Sequence, residues 1–207
     1  MNKLLKKIAC IGDSLTEGDY GISGKRCIAN VHKENYPHFL SQILKVNVLN
    51  YGKSGFTSTT YLDWFKLGNV DVKSSDIIIV MLGTNGGISS TSETQGNRDY
   101  VELINLICLN APKAKIVLCT PPHATENPEY SNCGYAPQVK EAVYFTKKIA
   151  FEMNFPLIDC ASCQDFTVES EHIMQPNDGL HFGKVGYFHL ADFIAKSLKN
   201  IFPEYFD

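Results

Sequence analysis

The 207-residue chain contains no apolar run approaching the roughly 20 residues that a membrane-spanning helix needs. Its start, MNKLLKKIACIGDS, is basic, but the apolar stretch that follows is far too short for the core of a signal peptide. Lys and Arg are scattered and never form a run, and the formal charge is −3, so the electrostatic footprint of a nucleic-acid binder is missing. There is no Asn-x-Ser/Thr sequon. The seven cysteines (Cys10, Cys27, Cys108, Cys119, Cys133, Cys160 and Cys163) are odd in number and irregular in spacing. That excludes a disulfide framework and reads as reduced thiols. A cytoplasmic protein is expected, with no membrane span and no nucleic-acid partner. Three further motifs are missing: G-x-S-x-G of the α/β-hydrolase elbow, a Walker A loop, and G-x-G-x-x-G of dinucleotide binders.

With 44% apolar and 20% charged residues, the chain is able to fold on its own core and is not a disordered segment. Its length suits a single domain over 1–207. Short, continuously apolar runs recur at 8–12, 46–51, 76–83, 115–120 and 155–160. Runs of that kind belong to parallel strands covered on both faces. Helical spacing of apolar residues is visible over 36–44, 98–109, 137–153 and 185–202. The stretch 165–176 has no clear period and reads as a loop with a short turn. Alternation of strand and helix predicts an α/β fold with a parallel sheet, whose functional groups gather beyond the carboxyl ends of the strands. Glycine and small polar residues cluster after the first three strands, so those three loops are expected side by side.

Each cluster has a plain reading beside a chemical one. Ser14, directly after the first strand, suits a helix N-cap, or a nucleophile held near backbone N–H groups. Asn85-Gly86 and Asp178-Gly179 are turn dipeptides, and Gly55 suits an ordinary loop. His181, three residues after Asp178, is either a surface residue or a base oriented by that carboxylate. Cys160-x-x-Cys163 has no second pair to complete a metal site. His123, after Pro121-Pro122, either borders the cleft or stands exposed on its loop. Trp64 and Phe65 read as core packing.

Taken in order, the clusters carry a resemblance. Gly12-Asp13-Ser14-Leu15-Thr16-Glu17-Gly18 resembles the first signature block of the GDSL esterases, in the SGNH hydrolase superfamily. Asn50-Tyr51-Gly52-Lys53-Ser54-Gly55 resembles the second block, Gly83-Thr84-Asn85 the third, and Asp178-Gly179-Leu180-His181 the last. One catalytic centre accounts for all four at once. The resemblance implies a three-layer α/β/α sandwich on a flavodoxin-like five-stranded parallel sheet. It implies Ser14 as nucleophile, His181 as base and Asp178 as its orienter. The oxyanion hole would be formed by the Ser14 and Gly55 backbone N–H groups and the Asn85 side chain. No metal or organic cofactor is implied. One position departs from the pattern: Gly86 stands where the family usually has Asp, so a more loosely held third loop is expected.

The expected reaction is hydrolysis of a small carboxylic ester through an acyl-enzyme. The segments expected around Ser14 are 19–35, 86–97 and 123–136. The polar character of 86–97 favours a short acyl group, such as acetyl, on a carbohydrate or other polar alcohol. The alternatives are a lysophospholipase or thioesterase of the same family, and a non-catalytic binding domain on the same scaffold. A flavodoxin-type electron carrier is a weaker option, because the first loop lacks a phosphate-cradling Ser/Thr run.

Overall fold

The five apolar runs form one parallel sheet in the order β2-β1-β3-β4-β5, in a computed structural model that describes residues 7–22 and 34–206. The strands are β1 (Lys7–Gly12), β2 (Asn47–Gly52), β3 (Ile77–Met81), β4 (Lys115–Cys119) and β5 (Leu157–Ile158). The helices that cover them are α2 (Tyr36–Leu44), α3 (Ser58–Lys66), α4 (Gln95–Asn110), α5 (Ala136–Glu152) and α7 (Lys184–Ile201). Single helical turns, α1 (Ser14–Glu17) and α6 (Glu171–Met174), lie in the connections.

The two-residue period of the strands sorts their side chains into two cores. Ile8 and Cys10 of β1, with Ile77, Ile79 and Met81 of β3, pack against α2 and α7. Ala9 and Ile11, with Ile78 and Val80, pack against α3, α4 and α5. The result is the three-layer α/β/α sandwich that the resemblance implies. It also explains why the central strands are apolar on both faces: each face meets helices, so neither tolerates a polar side chain.

Several elements differ from their sequence reading. Helix α3 carries no prediction, although Thr57 caps it and forms a capping box with Thr60. Helix α4 starts at Gln95, not at 98, because Thr94 Oγ1 accepts the Asn97 N–H and fixes the first turn there. Strand β5 is reduced to two residues, since the chain turns into a 3₁₀ segment at Cys160–Ser162. The stretch 165–176 holds a 3₁₀ turn at Val168–Ser170 followed by α6. Trp64 is partly buried, edge-on to Phe56 and Tyr61. Cys160 and Cys163 are both buried in the core beneath α7. Burial pushes the Cys10 thiol up to about 12, which leaves it unreactive at neutral pH. Cys27 and most of the 19–35 segment lie outside the described residues.

Among the described residues no helix is long and apolar enough to cross a membrane.

Candidate active site

The strand order makes β2, β1 and β3 neighbours, and all three run the same way. Their following loops therefore lie side by side at one edge. Ser14 comes two residues after the end of β1, Gly55 three after β2 and Asn85 four after β3. The Asp178–His181 turn arrives from the other end of the chain, just before α7.

Ser14 is not the cap of its helical turn. Asp13 holds that position, its Oδ1 accepting the Leu15 N–H at 3.1 Å, and Ser14 is the first helical residue. The residue is 2% exposed. Among the described residues, neither the Ser14 nor the Gly55 backbone N–H has a hydrogen-bond acceptor. For Ser14 this follows from its place in the first turn, whose N–H groups have no partner within the helix.

The Ser14 hydroxyl lies 2.9 Å from Nε2 of His181, across 167 residues of sequence. Nδ1 of the same ring lies 2.6 Å from Oδ2 of Asp178. An ionised carboxylate only accepts, so this contact selects the tautomer with its proton on Nδ1. Nε2 is then free to accept from the serine. Oδ1 of Asp178 is held by the backbone N–H groups of Leu180 and His181, at 3.0 and 2.8 Å. Burial on its own would push Asp178 up, but the hydrogen bonds and charge of His181 outweigh it and hold the carboxyl below its ordinary range. For His181, burial disfavours the cation. The Asp178 hydrogen bond and charge, with Asp19 and Asp13 nearby, overcome that penalty and raise its pKa above 6.5. Beside them the fully buried Asp13 carboxyl is pushed up, mainly by its burial.

Two carboxylates of the first loop fasten the second. Glu17 Oε2 accepts the Ser54 N–H at 2.7 Å, and Asp19 Oδ2 accepts the Ser54 hydroxyl at 3.1 Å. Lys53 N–H donates to the Gly12 carbonyl at 3.0 Å. Gly55 follows with φ +82°. In the third loop the Asn85 amide donates one hydrogen to the Phe56 carbonyl at 2.9 Å. An amide nitrogen carries two hydrogens, so one remains for a ligand.

The loosely held third loop expected from Gly86 is corrected by the structure. Gln138 of α5 donates through Nε2 to the Thr84 carbonyl at 2.8 Å. Its Oε1 lies 2.8 Å from where a Cβ on residue 86 would stand. A side chain from a distant helix thus fills the space that a side chain at 86 would need, and steadies the loop from there.

Of the three segments expected around Ser14, the described start of 19–35 and the loop 123–136 border the Asp178–His181 turn. Gly21 packs directly on the Asp178 carboxylate, and Asn132 donates to Asp178 Oδ2 at 2.8 Å. The polar stretch 89–93 does not frame the turn. Glu141 of α5 holds the backbone of Ser90 and the hydroxyls of Ser89 and Ser90, and Asn97 holds Ser89. With α4 and α5 the stretch lines a groove of about 560 Å³ in which neither Ser14 nor His181 stands. His123 is neither free nor part of the Ser14 cluster. Its Nε2 lies 2.6 Å from the buried Glu171. Asn132, Gln138, Glu17 and Asp19 carry no local signal for their roles, because each acts through a partner distant in sequence.

The profile of the GDSL-like Lipase/Acylhydrolase family matches residues 10–188. Among solved structures, a lipase/acylhydrolase from Enterococcus faecalis is 23% identical, with a TM-score of 0.69 over 95% of this chain and 97% of its own. A carbohydrate acetylesterase from Sinorhizobium meliloti is 20% identical, with a TM-score of 0.71 over 95% of this chain and all of its own. An aryl esterase from M. smegmatis is 20% identical, with a TM-score of 0.68 over 94% and 99%. Likeness at these identities speaks to the fold. No curated protein matches the chain.

Proposed function

This chain belongs to the GDSL-like lipase/acylhydrolase family and is a hydrolase acting on ester bonds, and from that premise we propose that Ser14, His181 and Asp178 carry the reaction. The observation that carries the reading is the continuous contact from Ser14 Oγ to His181 Nε2, 2.9 Å, and from His181 Nδ1 to Asp178 Oδ2, 2.6 Å.

A serine hydroxyl is a poor nucleophile at neutral pH. His181 takes its proton as Oγ attacks the ester carbonyl, and Asp178 stabilises the imidazolium that forms. The negative charge that develops on the carbonyl oxygen is met by the Ser14 and Gly55 N–H groups and the remaining Asn85 hydrogen. Each such donor is worth about 3–4 kcal/mol in the transition state. His181 then returns its proton to the leaving alcohol. Water attacks the acyl-enzyme by the same route, releasing the acid and restoring Ser14.

The substrate we propose is a short acyl ester, such as acetyl, of a carbohydrate or other polar alcohol. The polar groups flanking the Asp178–His181 turn support it: Asp19, Asn132 and Asn177. The fold shared with the carbohydrate acetylesterase from Sinorhizobium meliloti points the same way. The odd number and irregular spacing of the cysteines support a reducing, cytoplasmic setting.

Two experiments test the proposal. Treatment with an organophosphonate is expected to label Ser14, and label on any other residue, or none, rejects the nucleophile. In a nitrophenyl-ester series the rate is expected to peak at two to four carbons. A maximum at eight carbons or longer removes the substrate assignment and favours a lysophospholipase or thioesterase.

A further inference from the structure

We propose that Asn132 is a positioning residue that sets the basicity of His181 by sharing the Asp178 carboxylate with it. The inference rests on the reading of Asp178 and His181 given above.

Asn132 grips Asp178 twice. Its backbone N–H donates to the Asp178 carbonyl at 3.1 Å, and its side-chain Nδ2 donates to Oδ2 at 2.8 Å. That oxygen is the one facing His181 Nδ1. A third bond, from the Thr125 N–H to the Gly179 carbonyl at 2.9 Å, seats the same loop on the turn. On the other side, Gly21 lies so close that a Cβ there would stand 2.1 Å from Oδ2. The carboxylate is thus held from several directions, and the geometry leaves it little freedom to swing.

An oxygen that already accepts one hydrogen bond binds a second donor less avidly. The amide of Asn132 stabilises Asp178 whether the imidazole is neutral or charged, and so reduces the part of that stabilisation that depends on the cation. The other charged or titratable groups around His181 are Asp13 and Asp19 from the first loop, and Tyr187 from α7, whose hydroxyl donates to the Asp19 carbonyl at 2.6 Å. Asp13 and Asp19 both favour the imidazolium. Asn132 is the neutral group that works against them, keeping the base unprotonated nearer neutral pH. It also fixes the plane of the carboxylate, and with it the plane of the ring.

The test is the titration of His181 in the intact protein, followed by the NMR shift of its ring proton, beside the pH profile of kcat/KM on nitrophenyl acetate. Asn132→Leu keeps the bulk and removes the donor, and Asn132→Ala serves if Leu does not fold. Both retain the backbone bond. The expected result is that the ring midpoint and the acid limb of kcat/KM move upward together by about half a pH unit, a threefold change in proton affinity. If the melting temperature falls while neither midpoint moves, Asn132 is merely structural and the inference is overturned. If the ring midpoint moves and the acid limb stays fixed, the coupling stands and the assignment of His181 as the base falls.

Discussion

Two histidines of this molecule each hold a carboxylate at 2.6 Å, and only one of them faces a serine. His181 and Asp178 lie three residues apart in one turn, and the far nitrogen of the ring meets Ser14 Oγ. His123 and Glu171 lie 48 residues apart and join the loop after β4 to α6. Glu171 is 3% exposed and the His123 side chain 24%. Among the described residues no hydroxyl is bonded to the His123 ring. The second pair works as a clasp: it fixes the segment that leads into the Asp178 turn. A histidine and a carboxylate in contact therefore do not make a site. A site needs, in addition, a hydroxyl on the other nitrogen and N–H donors around the hydroxyl.

The two pairs are also physically joined. Gln175 is 1% exposed, and its Nε2 donates to the His123 carbonyl at 2.7 Å and to the Leu180 carbonyl at 3.0 Å. Leu180 immediately precedes His181. The clasp thus holds the Asp178–His181 turn through one amide.

The sharpest way to break the comparison is to delete each ring in turn. His181→Ala is expected to lower kcat by roughly 10⁴- to 10⁶-fold with the smaller loss of melting temperature, because Asp178 keeps the Leu180, His181 and Asn132 N–H donors. His123→Ala is expected to do the reverse. It strands a buried carboxylate and costs about 3 kcal/mol, at the low end of the range because the histidine is partly exposed. That corresponds to a melting temperature lower by roughly 6–12 °C, with kcat within tenfold. Comparable kcat losses in both variants erase the distinction.

A smaller effect is expected in the pH profile. As the proposed base His181 acts when neutral, and Asp178 raises its pKa, so activity is expected to be lost as pH falls through a value above the ordinary 6.5. Below that midpoint kcat/KM drops about tenfold per pH unit. Weakening the partner in Asp178→Asn is expected to move the midpoint down, along with a large loss of rate. In His123→Ala the midpoint is expected to stay where it is. A shift there shows that the second histidine, and not the first, controls the limb.

The smallest effect belongs to the bridge. Gln175→Leu leaves the Leu180 and His123 carbonyls without their shared donor, at about 1–3 kcal/mol for the buried Leu180 carbonyl and less for the part-buried His123 carbonyl. Its kcat is expected to fall a few-fold, because the turn loosens without losing any reacting group. An unchanged kcat means that the clasp and the active turn are independent.

Most of the scaffold was legible because burial on two faces writes a plain pattern. β3 is five consecutive buried residues, and nothing but a central parallel strand explains Ile77–Met81. Helix α3 was not legible. Its apolar residues Tyr61, Leu62 and Phe65 cover a single turn and a half, and the cap that starts it is a pair of threonines. Ser14, Gly55 and Asn85 could be singled out because they sit in short motifs just after strand ends, and Asp178 and His181 because they share a four-residue motif ahead of α7. Asn132, Gln138 and Gln175 could not. Their amides act on partners 46, 54 and 52 residues away, and no local pattern distinguishes such an amide from one that faces water.

The close seat of Gly21 on Asp178 has a bearing on redesign. At φ +65° and with no room for even a methyl group, this position admits no enlargement without levering the carboxylate off its histidine. Anyone retargeting the entrance would find that recognition and turnover are mechanically inseparable there. Ile22, the next residue, is 41% exposed, so a change of bulk there is expected to leave the Asp178 carboxylate in place where one at Gly21 would not.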